Sequence, residues 1–338
     1  MTSVVAIAVS VLPVFLFLGA LVVLDSYKLV ALRAVLQAVG VGAIAAFAAY
    51  VANVWLQSVL PLEATYYSRY VAPAVEETLK AVYIVYLLSR SKVGFVVDAA
   101  IGGFAVGTGF AFLENVYFLT VNSDASIWTW FVRGFGTAVM HGGCTAIVAM
   151  VAKALHDRTD AFRPPLVLPG LGVAIVLHSL YNHFLLQPLY ATGLIVLVFP
   201  YVSFAIFRQS ERATKSWLGD GFDVDQELLR AMRAGQVSAT PVGKYLTTLR
   251  GHFAPEIIVD MLCLLRLRAE LGIKAKGILM MREAGFDPVP DPAVKRTFEE
   301  LRFLEKSIGR TGMLSLNPFL HSRTQDLWQL TLLDEARG

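Results

Sequence analysis

The chain has 338 residues, of which 56% are hydrophobic and only 16% charged, with a net charge of +3. Soluble domains carry about 25% charged residues, so this composition and a mean hydropathy of +0.60 exclude an ordinary soluble protein. The near-balance of charge excludes a nucleic-acid footprint; the excess of Lys and Arg lies in loops.

The charges are unevenly placed. Residues 1–208 carry 11 Lys/Arg and 9 Asp/Glu, whereas 209–338 carry 18 and 17. This predicts a transmembrane domain over 1–208 followed by a helical soluble domain over 209–338. Cys144 and Cys263 form neither a disulfide framework nor a CxxC metal site.

Residues 3–24 are apolar but too long for a signal-peptide core, and no basic segment or cleavage site accompanies them, so they read as a retained helix. At about 20 residues per span, further spans fall near 35–58, 70–89, 94–120, 128–153, 166–187 and 189–208. The expected fold class is therefore all-α: a polytopic membrane bundle of about seven transmembrane helices with a C-terminal helical soluble domain. Lys28, Arg33, Arg90, Lys92, Lys153, Arg158, Arg163 and Arg208 lie in alternate loops, while the opposite side has only Arg69 and Arg133. That bias predicts a multi-pass protein of the cell membrane with its N-terminus outside and its tail in the cytoplasm. In the tail, amphipathic helices are expected near 223–234, from Pro255 onward, and near 293–307.

The third span carries Glu76, Glu77 and Lys80. Ionisable groups inside a membrane are costly and mark function. Lys80 stands at i+4 from Glu76 and i+3 from Glu77, so it can pair with one carboxylate and leave the other to move a proton. The bland alternative is an ion pair that locks helix packing. The fourth span contains Gly103 and Gly107, a GxxxG that lets a neighbouring backbone approach. It ends in Phe110-Ala111-Phe112-Leu113-Glu114-Asn115. Alone, Glu114 could be an interfacial glutamate reaching water. The fifth span has His141 near mid-membrane, which alone could bond a carbonyl. The sixth has His178 and Asn182 on one face, which alone could form an interhelical clamp, and His183 off that face as a bystander.

Four consecutive helices thus offer acid, histidine or amide groups at overlapping depth. Convergence would bury a polar, water-holding cavity, tolerable within a bilayer only if protein lines it. The inventory suits hydrolysis: carboxylates to activate water, histidines to move protons or bind metal, an amide to hold an oxyanion.

Glu76-Glu77-Thr78-Leu79-Lys80, the Phe110–Asn115 segment, His141 and the His178–Asn182 pair, in this order over residues 65–190, resemble the PrsW family of intramembrane proteases. That family belongs to a wider group with the CAAX prenyl proteases and bacteriocin-processing proteases. The CAAX branch has arginine after the glutamate pair and histidine after the phenylalanine; Lys80 and Glu114 stand here, which favours the PrsW branch. The resemblance implies a catalytic bundle open to the membrane and membrane-protein substrates such as a single-pass regulator, with cleavage of the anti-sigma-factor type on the outer side. It implies membrane lipid as surroundings and no nucleic acid, and carries no partner onto the tail.

The expected mechanism has Glu77 or Glu76 activating water, with Glu77 preferred. His141 and His178 orient that water or protonate the leaving amine, Asn182 holds the oxyanion, and Glu114 positions His141. Two glutamates and two histidines suffice for this without a cofactor. The alternative makes Glu114, His141 and His178 ligands of a zinc ion with one position open for water. A competing function is a proton- or ion-coupled transporter using the same buried Glu/His set, although no internal repeat accompanies it.

Overall fold

The computed structural model describes residues 4–320 except Ser123, Asp160, Ala161, Asp287 and Pro290, together with Gln325, Trp328, Gln329, Leu332 and Leu333. Among these residues there is no strand. Two compact units divide between Ser210 and Glu211.

The first unit contains α1 (Val4–Leu24), α2 (Leu32–Val59), α3 (Ala72–Ser89), α4 (Val96–Val121), α5 (Ala138–His156), α6 (Leu168–Asn182) and the start of α7 (Pro188–Arg233). Two of these helices are entered through π-helical turns, Tyr67–Val71 before α3 and Val132–Thr137 before α5. Among the described residues, six helical stretches are long and apolar enough to cross a membrane. The helix missing from that set is α3, whose Glu76, Glu77 and Lys80 lower its hydropathy. It nevertheless packs within the bundle, against α2, α4, α5 and α6. The expected all-α bundle of about seven spans is thus met by six apolar spans among the described residues, with α3 packed among them.

Helix α4 is the central element and the most buried span. Its start is fixed by Asp98, whose carboxylate accepts the backbone N–H groups of Gly94 (2.9 Å) and Phe95 (3.2 Å), as an acid near a helix N-terminus should. Its GxxxG faces α5. A Cβ at Gly103 would sit 2.6 Å from the carbonyl oxygen of Thr145, and one at Gly107 would overlap the carbonyl of His141. Small residues here let the α4 and α5 backbones touch beside His141. Gly107→Val is therefore expected to force the helices apart, costing about 1–3 kcal/mol or more as an overpacked core. Thermal unfolding of the detergent-purified protein would show a lowered midpoint.

An apolar cluster of Ile84, Leu88, Met140, Cys144, Val148, Ala152 and Ala174 binds α3, α5 and α6 together. The third, fifth and sixth helices are thereby held in a fixed relation, and that relation positions the polar groups they carry.

The second unit contains the C-terminal part of α7, α8 (Pro241–Leu249), α9 (Pro255–Glu283) and α10 (Ala293–Leu320). Thr240 caps α8 by accepting the N–H of Gly243 at 3.1 Å. Pro255 opens α9, as its sequence position predicts. Gly309 interrupts α10 with φ +70°, left-handed backbone that glycine adopts without a Cβ clash. Leu246, Met261, Leu264, Leu271, Leu304 and Leu316 form the core. Lys276 is buried against Asp225 at 2.6 Å.

Candidate functional site

Helices α3 to α6 bring Glu76, Glu77, Lys80, Glu114, His141 and His178 into one connected set of side chains. Glu77 and Lys80 are both 0% exposed. Glu77 Oε1 lies 2.6 Å from Lys80 Nζ and accepts the Nδ1–H of His178 at 2.8 Å. A buried carboxylate is tolerated when a cation and further donors compensate its lost hydration, and Glu77 has both.

Lys80 Nζ also lies 3.1 Å from His141 Nδ1 and 4.5 Å from the centre of the Phe110 ring. An ammonium has only donors, so Nδ1 accepts and the ring proton of His141 sits on Nε2. That N–H donates to Glu114 Oε2 at 3.1 Å. Arg133 Nη2 lies 3.1 Å from the same oxygen, while Arg133 Nε donates to Asn115 Oδ1 at 2.8 Å. The rings of His141 and His178 meet edge to face, 4.8 Å between centroids.

Glu76 is differently placed. Its Oε2 is 3.9 Å from His178 Nε2, and its Oε1 receives a long hydrogen bond from Asn53 Nδ2 at 3.4 Å. The Asn53 Oδ1 accepts the hydroxyl of the buried Tyr67 at 2.8 Å. Of the adjacent glutamates, Glu77 is thus tied to a cation and Glu76 has only an amide and a nearby imidazole.

One ligand-capable atom from each of Glu76, His141 and His178 falls within 4.8 Å of the others. The expected zinc ligands were Glu114, His141 and His178. Glu76, not Glu114, has its carboxylate oxygen within that distance of both histidines, while Glu114 lies against Arg133 and the far nitrogen of His141.

Asn182 does not join the cluster. Its Nδ2 donates to the backbone carbonyl of Ser68 at 2.9 Å, so it clamps α6 to the π-helical turn before α3. The amide expected to hold an oxyanion is used for packing. The physical reason is the widened turn at Tyr67–Val71, which exposes backbone carbonyls that a regular helix would satisfy internally. His183 bonds the Ser179 carbonyl at 2.7 Å and Tyr70 at 3.0 Å, away from the cluster as expected.

Three residues of the site escaped the sequence reading. Asn53 is one of three amide residues of the apolar α2, beside Gln37 and Gln57, and lacks the histidine four residues away that drew attention to Asn182. Tyr67 and Arg133 lie on the π-helical turns; Tyr67 falls outside the expected 70–89 span, and Arg133, inside the 128–153 span, was counted only as a charge of the outer side.

A profile of the PrsW family of intramembrane metalloproteases matches residues 30–207, more than half of the chain. Neither a curated protein nor a solved structure matches it. The match spans every helix that contributes to the cluster, extends beyond the 65–190 segment on both sides, and lends nothing to the transporter alternative. The chain therefore is a multi-pass membrane peptidase and belongs to the PrsW family of intramembrane metalloproteases.

Proposed function

We propose that this peptidase is metal-dependent, with Glu76, His141 and His178 as the ligands, and that it cuts single-pass membrane proteins near the outer face of the bilayer. The observation that carries the reading is the convergence of those three side chains from three helices.

The residues present fit zinc in three respects. Two histidines and one carboxylate are a ligand set of catalytic zinc, which leaves a fourth position open. Each imidazole gives its remaining N–H to a carboxylate, His178 to Glu77 and His141 to Glu114, the contact that orients ligand histidines. Glu77 Oε2 is buried and accepts no hydrogen bond from the described residues, so one carboxylate oxygen remains available beside the ligand set. Bound there, zinc would polarise the scissile carbonyl and stabilise the charge that develops on it. Lys80, which donates to both Glu77 and His141, would keep its bond to Glu77 and give up the one to Nδ1.

The other groups divide the proton work. Glu77 Oε2 takes a proton from the attacking water as its oxygen bonds to the carbonyl carbon. The same carboxyl returns that proton to the nitrogen as the carbon–nitrogen bond breaks. Lys80 holds Glu77 through Oε1 during both steps, and its fixed charge needs no reorganisation. Glu114 keeps the His141 ring oriented. In this reading the metal-free scheme and the oxyanion role of Asn182 give way.

The loop lysines and arginines support an N-terminus outside and the second unit in the cytoplasm. With that orientation the first turns of α3 and the last turns of α4 lie in the outer half of the bilayer, which supports a cut on that side. A substrate helix reaches the site through lipid, so a single-pass regulator is the favoured partner class.

The test uses the purified protein in nanodiscs with a reporter fused to a single-pass helix. Cleavage to a defined product is expected. Proton-coupled flux in liposomes without cleavage would contradict the reading.

A further inference from the structure

Both imidazoles of the cluster give an N–H to a carboxylate, and both carboxylates lie against a cation. For His178 the series is Lys80, Glu77, His178, all within motifs that the sequence displays. For His141 the series is Arg133, Glu114, His141, and its first member lies on the π-helical turn Val132–Thr137. We propose that Arg133 is a positioning residue for peptide hydrolysis: it fixes the Glu114 carboxylate, and through it the ring orientation and tautomer of His141.

The guanidinium is built into place. Its Nη2 lies 3.1 Å from Glu114 Oε2 and its Nε donates to Asn115 Oδ1 at 2.8 Å. Its centre stands 4.1 Å from the centroid of the Phe118 ring, within cation–π range. Asn115 is itself buried, and its Nδ2 donates to the Ser10 carbonyl in α1 at 2.7 Å. An arginine that merely anchors a helix end would extend its head group to water. This one is 13% exposed and held from three sides.

The π-helical turn explains how Arg133 and His141 reach one oxygen. On a regular helix, residues eight apart point about 80° from each other. The wider i+5 turns rotate less per residue, so the two side chains come round to the same α4 face. Glu114 Oε2 then accepts the His141 Nε2–H at 3.1 Å and forms an ion pair with Arg133 Nη2 at the same distance. With Nε2 committed to Glu114, Nδ1 is the nitrogen left facing Lys80 and the cluster. Without Arg133, Glu114 retains one partner and is free to turn toward water, since 36% of its side chain is already exposed.

The inference rests on His141 belonging to the catalytic centre, and its test separates the two claims. Full-length wild type, Arg133→Met and Arg133→Lys are labelled with ¹⁵N-histidine, and a His141→Gln spectrum identifies the His141 signals. In Arg133→Met the His141 signals are expected to lose the single Nε2–H pattern, and kcat on the reporter to fall about 10- to 100-fold, the range for a residue orienting a ligand histidine. KM should change little, because Arg133 touches no substrate. Arg133→Lys should restore part of both, keeping the charge but losing the bond to Asn115. Where Arg133→Met does not fold, Arg133→Lys against wild type carries the comparison, with a smaller change in the same direction. Unaltered His141 signals together with kcat within twofold of wild type would overturn the proposal. A wild type that cuts nothing, beside an Arg133→Met spectrum that still changes, would sink the catalytic reading and leave the positioning role standing.

Discussion

Glu76→Gln is expected to abolish cleavage while leaving the protein's thermal unfolding unchanged, whereas Glu77→Gln should abolish cleavage and also destabilise. The two residues are neighbours of the same type, so the difference comes from their partners. Glu76 has an amide at 3.4 Å and an imidazole at 3.9 Å, and glutamine of the same size disturbs neither strongly. Glu77 lies 2.6 Å from a fully buried lysine. Removing its charge leaves the buried Lys80 ammonium without its carboxylate partner, and an uncompensated buried charge costs about 3–5 kcal/mol. Rates should fall by about 100- to 10,000-fold for loss of the proton acceptor at position 77. Activity assays beside thermal melts in one detergent separate the cases. Equal melting of the two variants would mean that Lys80 does not depend on Glu77.

Removing the metal is expected to have an effect as large. A metal that polarises the carbonyl supplies several kcal/mol of transition-state stabilisation, and each 1.4 kcal/mol is about ten-fold in rate. Dialysis against a strong chelator should therefore lower cleavage by about 1,000-fold, and added zinc should return it. The melting curve should shift little, because Glu77, Lys80 and the apolar cluster around Ile84 and Ala152 hold the helices without the ion. Full activity after stringent chelation would return the account to two carboxylates and two histidines acting alone.

The architecture was legible because the lipid solvent imposes it. Long apolar stretches must be helices there, and polar residues inside them stand out against a uniform background. Glu76, Glu77, Glu114, His141 and His178 were found that way, and the family followed from their order. What remained hidden depended on rotation about a helix axis. Glu76 and Glu77 are one residue apart, so sequence alone does not say which meets Lys80; i+3 and i+4 pairs are equally reachable. The structure gives the lysine to Glu77. Asn182 shared a helix face with His178, but the π-helical turn before α3 offered it a closer carbonyl at Ser68. Arg133 was counted only as a charge of the outer side, whereas a second π-helical turn brings it against Glu114. Regular periodicity contains no sign of either turn, and both adjoin the site, as such turns often do.

The most direct test is the zinc content of the purified full-length protein, measured by elemental analysis for wild type, Glu76→Gln, His141→Ala, His178→Ala and Glu114→Gln. The account predicts about one ion per chain in wild type, as expected for a three-ligand catalytic zinc centre. It predicts loss of that ion in the Glu76, His141 and His178 variants and retention, weakened, in Glu114→Gln. Equal metal in wild type and Glu76→Gln, with loss confined to Glu114→Gln and the two histidine variants, would contradict it.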